Sequence, residues 1–269
     1  DTIVQELYLT ISDRFKTPED ARMGLGRAGA DLMGHFSRLG SRCEPLDAGQ
    51  RLMALRAFFR PDSPAPAFDI TDAMRKGHGF RDYLCPMSLA IKGGYFEMDG
   101  KFGRVLFLRS YANFINDELI SDLAALPRNL MLTIGFIPVP TDEAVKELQN
   151  KLLSAETNIA QWQRKQNQAN NFSSVIPYDM EQQRTETTEF LNDLSARDQR
   201  MLFTLVSIVH LADSKAQLDQ DTETLQAKAS GHMCELGVLR YQQLPGLQTT
   251  LPFGMRRIHA LRTLTTEGL

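Results

Sequence analysis

Apolar and polar residues alternate through "IVQELYLTIS", with Ile3, Leu7, Leu9 and Ile11 apolar and Gln5 the exception. A period of two predicts an opening strand. The period then lengthens. Thr17-Pro18-Glu19-Asp20 supplies an N-cap, a proline at the first helical position and acids in the first turn. A helix follows to about Leu39, with Leu25, Ala28, Leu32, Phe36 and Leu39 on its apolar face and Gly40 as its stop. "SRCEPL" suits a short returning strand. Asp47 and Gln50 form a capping-box pattern ahead of a second helix that presents Leu52, Leu55, Phe58 and Phe59 and ends before Pro61.

"PDSPAPA", residues 61–67, reads as an extended connector. Beyond it, "SLAIKGGYFEMDGKFGRVLFLRSYA" is β-rich, and Asp99-Gly100 between two apolar segments signals a hairpin. "DELISDLAAL" predicts a helix. "NLMLTIGFI" predicts a strand with apolar residues on both faces, hence a central one.

At Thr141 the pattern changes again. Val145, Leu148, Leu152, Ala155, Ile159 and Trp162 recur at spacings of three and four, which is a heptad seam. A polar stretch, "QRKQNQANNFSS", separates it from a second helix between about Tyr178 and Leu194. Together they predict an antiparallel helical hairpin over 141–194. "QRMLFTLVSIVHLAD" is a strand buried on both faces, "SKAQLDQDTETLQAKA" a helix and "CELGVLRYQQL" a last strand. A helix-like run carrying Arg256, Arg257 and Arg262 closes the chain. The expected class is α+β: two ferredoxin-like α/β lobes with antiparallel-rich sheets and a long helical hairpin, divided as 1–126 and 127–269.

Composition narrows the partners. The 269 residues carry a net charge of -3, so no general attraction to nucleic acid or anionic lipid is expected. Cys43, Cys85 and Cys234 are far apart and odd in number, which suggests neither a disulfide framework nor a zinc site. No apolar run approaches the roughly 20 residues of a membrane span.

Candidate chemistry is sparse. Gly24-Leu25-Gly26-Arg27-Ala28-Gly29 matches GxGxxG, yet a dinucleotide site needs those glycines between a strand and its helix, and the cap at Thr17 places them inside one. Gly100-Lys101 lacks both the earlier glycine and the following Ser or Thr of a phosphate loop, since Tyr95 and Phe102 stand there. It reads as a turn. His35, His78, His210, His232 and His259 have no metal-ligand spacing. Asp213, after an apolar strand, reads as a strand-end or helix-capping residue. Asn171-Phe172-Ser173 is a glycosylation sequon. The sequence therefore names no catalytic, cofactor-binding or metal residue. The docking candidates are Trp162, Arg164 and Lys165 on the hairpin and Arg256, Arg257 and Arg262 near the C-terminus.

Four stretches carry a resemblance: "GKFGRVLFLRSYA" (Gly100 to Ala112), "PVPTDEAVKELQNKLL" (Pro138 to Leu153), the segment from Glu156 to Met201 that contains "QWQRKQNQANNFSSVIPYDMEQQRTETTEFLNDLSARDQRM", and "LRTLTTE" (Leu261 to Glu267). They resemble the N-terminal part of the VirB-type conjugal-transfer ATPases of type IV secretion systems, as found in mobile elements of Gram-positive bacteria. The resemblance implies a non-catalytic interaction domain at the cytoplasmic face of the membrane. Its implied partners are membrane-embedded secretion-channel components, its own downstream motor domain and neighbouring subunits, with no stable nucleic-acid binding. The family's "LRTLTTE" stretch leads toward a motor that uses ATP and magnesium, so Leu269 is expected to be the edge of an accessory domain, and the start at Asp1 fits a trimmed chain. The alternative is a free-standing scaffold or regulator that self-associates through the heptad helix.

Overall fold

A computed structural model describes residues 5–63, 69–111, 117–169, 175–197 and 199–266. Among them the order is α1 Pro18–Arg38, α2 Ala48–Phe59, α3 Ile70–Lys76, α4 Phe80–Leu84, β1 Leu89–Ile91, β2 Phe96–Met98, β3 Lys101–Ser110, α5 Asp117–Ala124, β4 Leu130–Pro138, α6 Thr141–Gln168, α7 Tyr178–Ala196, β5 Met201–Ala212, α8 Lys215–Gly231, β6 Glu235–Val238, α9 Gln243–Thr250 and β7 Arg262–Thr265. The class is α+β with one antiparallel sheet, as the alternating and heptad patterns predict.

Two compact units divide the chain, and they interleave in sequence. The first takes residues 1–112, 116–134 and 206–260, and the second takes 113–115, 135–205 and 261–269. The position 126/127 falls within the first unit.

In the first unit the strands run β1-β2-β3-β5-β4, with β6 also on β3. The connection β3-α5-β4, then β5-α8-β6, with spatial order β6-β3-β5-β4, is the ferredoxin-like arrangement of two split strand–helix–strand units. Val105 and Leu106 of β3 and Ile208 and Val209 of β5 are buried where these strands pair. Alternation sends β3 side chains to two different helices. Arg104 meets α8, and Val105 meets Gly246 of α9.

The β3 edge opposite β5 is covered in two pieces, β2 over Lys101–Gly103 and β6 over Leu106–Ser110 with a bulge between Leu108 and Ser110. Val105 falls in the gap. The fully buried amide of Gln243 completes the ladder there: its Oε1 accepts from the Val105 N–H at 2.8 Å, and its Nε2 donates to the carbonyls of Val105 at 3.3 Å and Leu239 at 2.6 Å. A side chain thus satisfies backbone groups that water cannot reach.

Asp99 and Gly100, at φ 48° and 84°, form the two-residue turn between β2 and β3 that the Asp-Gly pair predicts. The caps also form where the sequence placed them. Thr17 accepts from the Asp20 N–H, and Asp47 and Gln50 make a reciprocal capping box. Leu52, Leu55, Phe58 and Phe59 are buried.

In the second unit α6 and α7 pack as an antiparallel hairpin, and the heptad seam faces α7 within the chain. Ala144, Leu148, Leu194 and Met201 form its buried base, against Val139, Phe190, Leu191 and Phe203. β7 pairs with Met201–Thr204 of β5, a stretch that β3 does not reach because its pairing starts at Ser207.

Several expectations are corrected. Residues 5–15 form no strand and lie mostly exposed, with Leu7 at 86%. Alternation alone makes no strand without an edge to join; here the Thr10 and Ser12 hydroxyls donate to the carbonyls of Pro252 and Gly254. Helix α1 buries no residue fully, and Leu39 is 78% exposed, because caps specify a helix without specifying what covers it. "SRCEPL" is irregular, interrupted by Pro45. β4 lies at the end of the strand order: apolar residues on both faces report partial cover of each face, not pairing of both edges. β6 stops at Val238, since Tyr241 at φ 60° turns the chain into α9. Residues 254–261 are irregular rather than helical, and Arg262 lies in β7. Ile3, residues 64–67 of the connector, Asn171 and Glu267 lie outside the described residues.

Gly103 tests the packing of β2 on β3. A Cβ there would stand 2.2 Å from the Phe96 ring and 2.8 Å from Leu211. Gly103→Ala is expected to lower unfolding free energy by about 1–3 kcal/mol, read from the urea midpoint.

Candidate functional site

Two arrangements of polar side chains stand out, one in each unit. In the second unit the distal part of the hairpin holds an open groove of about 530 Å³, lined by Ala155, Asn158, Gln161, Trp162 and Lys165 of α6 and Asp179, Met180 and Gln183 of α7. Ala155, Asn158, Trp162 and Lys165 are spaced three or four apart, which sets them on one face of α6 with Gln161 beside them. The seam stays closed by Ala155 and Ile159, both buried, and opens beyond them where Trp162 is only half-buried. An indole and a thioether supply apolar, polarisable surface, three amides supply donors and acceptors, and Lys165 and Asp179 supply opposite charges. That composition suits recognition of a polypeptide: an aromatic anchor ringed by polar groups.

Of the six docking candidates, the structure brings Trp162 and Lys165 together in this groove. Arg164 is exposed and is not among the lining residues. Arg256 and Arg257 are exposed in the first unit, and the Arg257 N–H donates to Thr249 Oγ1 at 2.9 Å. Arg262 belongs to the second unit, opposite Thr204 in the β5–β7 pair. The three C-terminal arginines therefore do not form one helical stripe.

The first unit holds a buried polar cluster that residue spacing did not reveal. Arg104 of β3 and His210 of β5 are directly paired across the sheet, on the face covered by α8. The Arg104 guanidinium, 8% exposed as a residue, donates to the Gly94 carbonyl at 3.0 Å, to Thr222 Oγ1 at 2.8 Å and to the Asp219 carboxylate at 2.7 Å. Lys215 also grips Asp219, at 2.5 Å, and stacks its ammonium 5.0 Å from the Tyr95 ring centroid. Hydrogen bonds from Lys215 first, and then from Arg104, hold Asp219 below the usual carboxylate range. Asp221 takes both oxygens to Arg128 Nε at 3.0 Å.

His210 is fully buried. Its Nε2 stands 3.1 Å from Thr222 Oγ1, whose hydroxyl donates to the Leu218 carbonyl at 2.7 Å. With that proton committed, Nε2 must carry the histidine hydrogen, and Nδ1 keeps a bare lone pair that has no partner. Burial, and then the neighbouring Arg104 charge, push the His210 pKa down to about 4, against a smaller opposing pull from Asp221. The imidazole is neutral at pH 7 and cannot share this site with the guanidinium as a second cation.

The sequence motifs resolve as structural parts. Gly24 to Gly29 lie inside α1. Lys101 opens β3 and bridges Asp213 at 2.7 Å and Asp62 at 2.8 Å, so Asp213 ends its strand in an ion pair while Ser214 caps α8. Among the described residues no group of three or more His, Cys, Asp or Glu side chains is placed to hold a metal ion, and no helix is long and apolar enough to cross a membrane.

His210 sets an acid response. Its folded pKa lies below the value of 6.5 for an exposed histidine, so the unfolded chain binds more protons between the two. This contribution is complete above about pH 6.5 and is lost as pH falls toward 4, amounting to about 3 kcal/mol. Urea unfolding from pH 7 to 4 is expected to show that loss, and His210→Gln is expected to remove most of the slope over that window.

In comparisons with known protein families and with curated proteins, the chain matches none.

Proposed function

We propose that this chain is a non-catalytic docking module of a conjugative type IV secretion ATPase, linking an ATP-driven motor to a membrane channel for DNA transfer. The observation that carries the reading is the groove at Trp162 and Lys165. It lies on the long helical hairpin, in the same Pro138 to Met201 region that bears the greater part of the family resemblance. The groove offers an aromatic anchor and opposite charges but no nucleophile with a base among its lining residues, so binding a polypeptide is the chemistry it supports. On this proposal the module works at the cytoplasmic face of the membrane. ATP and magnesium belong to the motor, and the occupant of the groove is a channel component.

Self-association through the heptad helix is the weaker reading. Leu148, Ala155 and Ile159 of the seam are buried within the chain, so a second α6 would have to displace α7.

Trp162→Ala combined with Lys165→Glu, placed in the full-length ATPase, is expected to lower capture of the channel's membrane components and the frequency of DNA transfer by at least about tenfold, with ATP hydrolysis unchanged. Undiminished capture and transfer by a folded variant would overturn the docking reading.

A further inference from the structure

β1 begins the sheet, and its outer edge has no strand partner among the described residues. Natural edge strands are blunted by charge, proline or a bulge. β1 is short, at three residues, but has no charge, proline or bulge within it: it reads Leu89-Ala90-Ile91, all three residues are exposed, and its pairing with β2 runs without a register shift.

The register shows which groups face outward. The Lys92 N–H donates to the Tyr95 carbonyl at 2.9 Å, and the Asp99 N–H donates to the Ser88 carbonyl at 3.3 Å. With Ala90 opposite Glu97, residues 88, 90 and 92 turn their backbone groups toward β2. The N–H and C=O groups of Leu89 and Ile91 therefore point to the open side. Their side chains, 43% and 39% exposed, share one face of the sheet.

We propose that this edge is a self-complementary docking surface, on which a second copy of the chain adds its own β1 antiparallel, Leu89 opposite Ile91, about a twofold axis through Ala90. In this register both outward residues of one strand meet both outward residues of the other, which makes four backbone hydrogen bonds. Leu89 and Ile91 then cover each other twice across the axis. Ala90 meets its own copy in a non-hydrogen-bonded pair, the closer kind, where a small side chain fits.

Charge selects a second copy over an unrelated strand. Lys92 is exposed and has no ion pair among the described residues. In the proposed register it lies opposite Ser88 of the other copy. The Ser88 N–H and hydroxyl bind the Asp99 carboxylate at 2.7 and 3.2 Å, so that carboxylate lies on the face Lys92 would reach. Each dimer thus makes the Lys92–Asp99 juxtaposition twice, a feature only a copy of this chain supplies. The surface is independent of the hairpin groove and of the function proposed for it. Its small area points to a weak dimer.

Sedimentation of the purified chain over a concentration series tests the proposal. A monomer–dimer equilibrium is expected. Ile91→Pro removes an N–H that points outward and leaves the β2 ladder whole, and it is expected to raise the dissociation constant at least about tenfold. Lys92→Glu, which leaves the backbone alone, is expected to act in the same direction and decides the matter if circular dichroism shows Ile91→Pro to be unfolded. Under mild oxidation Ala90→Cys is expected to cross-link into a dimer and Leu89→Cys is not, with the unsubstituted chain as the blank for its own cysteines. A chain that stays monomeric throughout, a dimer indifferent to both Ile91→Pro and Lys92→Glu, or a Leu89→Cys cross-link exceeding that of Ala90→Cys would each overturn it.

Discussion

A guanidinium taken out of water must find partners for its donors, and Arg104 meets that demand from three directions. It binds the loop before β2 through Gly94, and α8 through Thr222 and Asp219. Removing any one partner would leave a buried donor unsatisfied, which costs more than the hydrogen bond itself contributes. The same charge adds to burial, the larger cause, in lowering the pKa of His210 across the sheet. Thr222 stands between them, its Oγ1 accepting from both while its hydroxyl donates to the Leu218 carbonyl. One cation thus ties α8 to β3 and, together with burial, keeps the neighbouring imidazole neutral.

The first unit has a second constraint in the composite edge of β3. Two short strands share that edge, and the backbone between them is completed by the buried amide of Gln243. Gly246, three residues later, lets α9 approach close enough for the amide to reach: a Cβ there would stand 2.5 Å from Leu239 and 2.9 Å from Val105. These polar groups hold strands and helices together.

Groups free to recognise something else lie elsewhere. The ferredoxin-like pattern needs only a turn between β4 and β5, and this chain places the α6–α7 hairpin there instead. Its base is an ordinary apolar core, while its distal part opens around Trp162. β1 offers another such surface, an edge whose outward backbone groups have no ladder among the described residues. On the two proposals the groove would take side chains and the edge would take extended backbone.

Much of the chain was legible because its signals are local. A cap at Thr17, a reciprocal pair at Asp47 and Gln50, an Asp-Gly turn and the seam of α6 act within a few residues, so spacing alone places them. Trp162 and Lys165 were legible, with Arg164, as docking candidates close together in sequence on the hairpin. That Met180 and Asp179 complete their groove was not, because it depends on how two helices meet. Arg104, His210 and Thr222 were invisible as a cluster, being 118 residues apart at their widest and joined only by strand register. Arg256, Arg257 and Arg262 were grouped by nearness in sequence, and the chain between them separates their roles. Sequence by itself determined helices α1, α2 and α5 to α8, the Asp-Gly turn and the α+β class, since those follow from dihedral preference and periodicity. Tertiary structure alone decided which strands lie at edges, which helices are covered and which charges meet, since burial and pairing belong to partners far away along the chain.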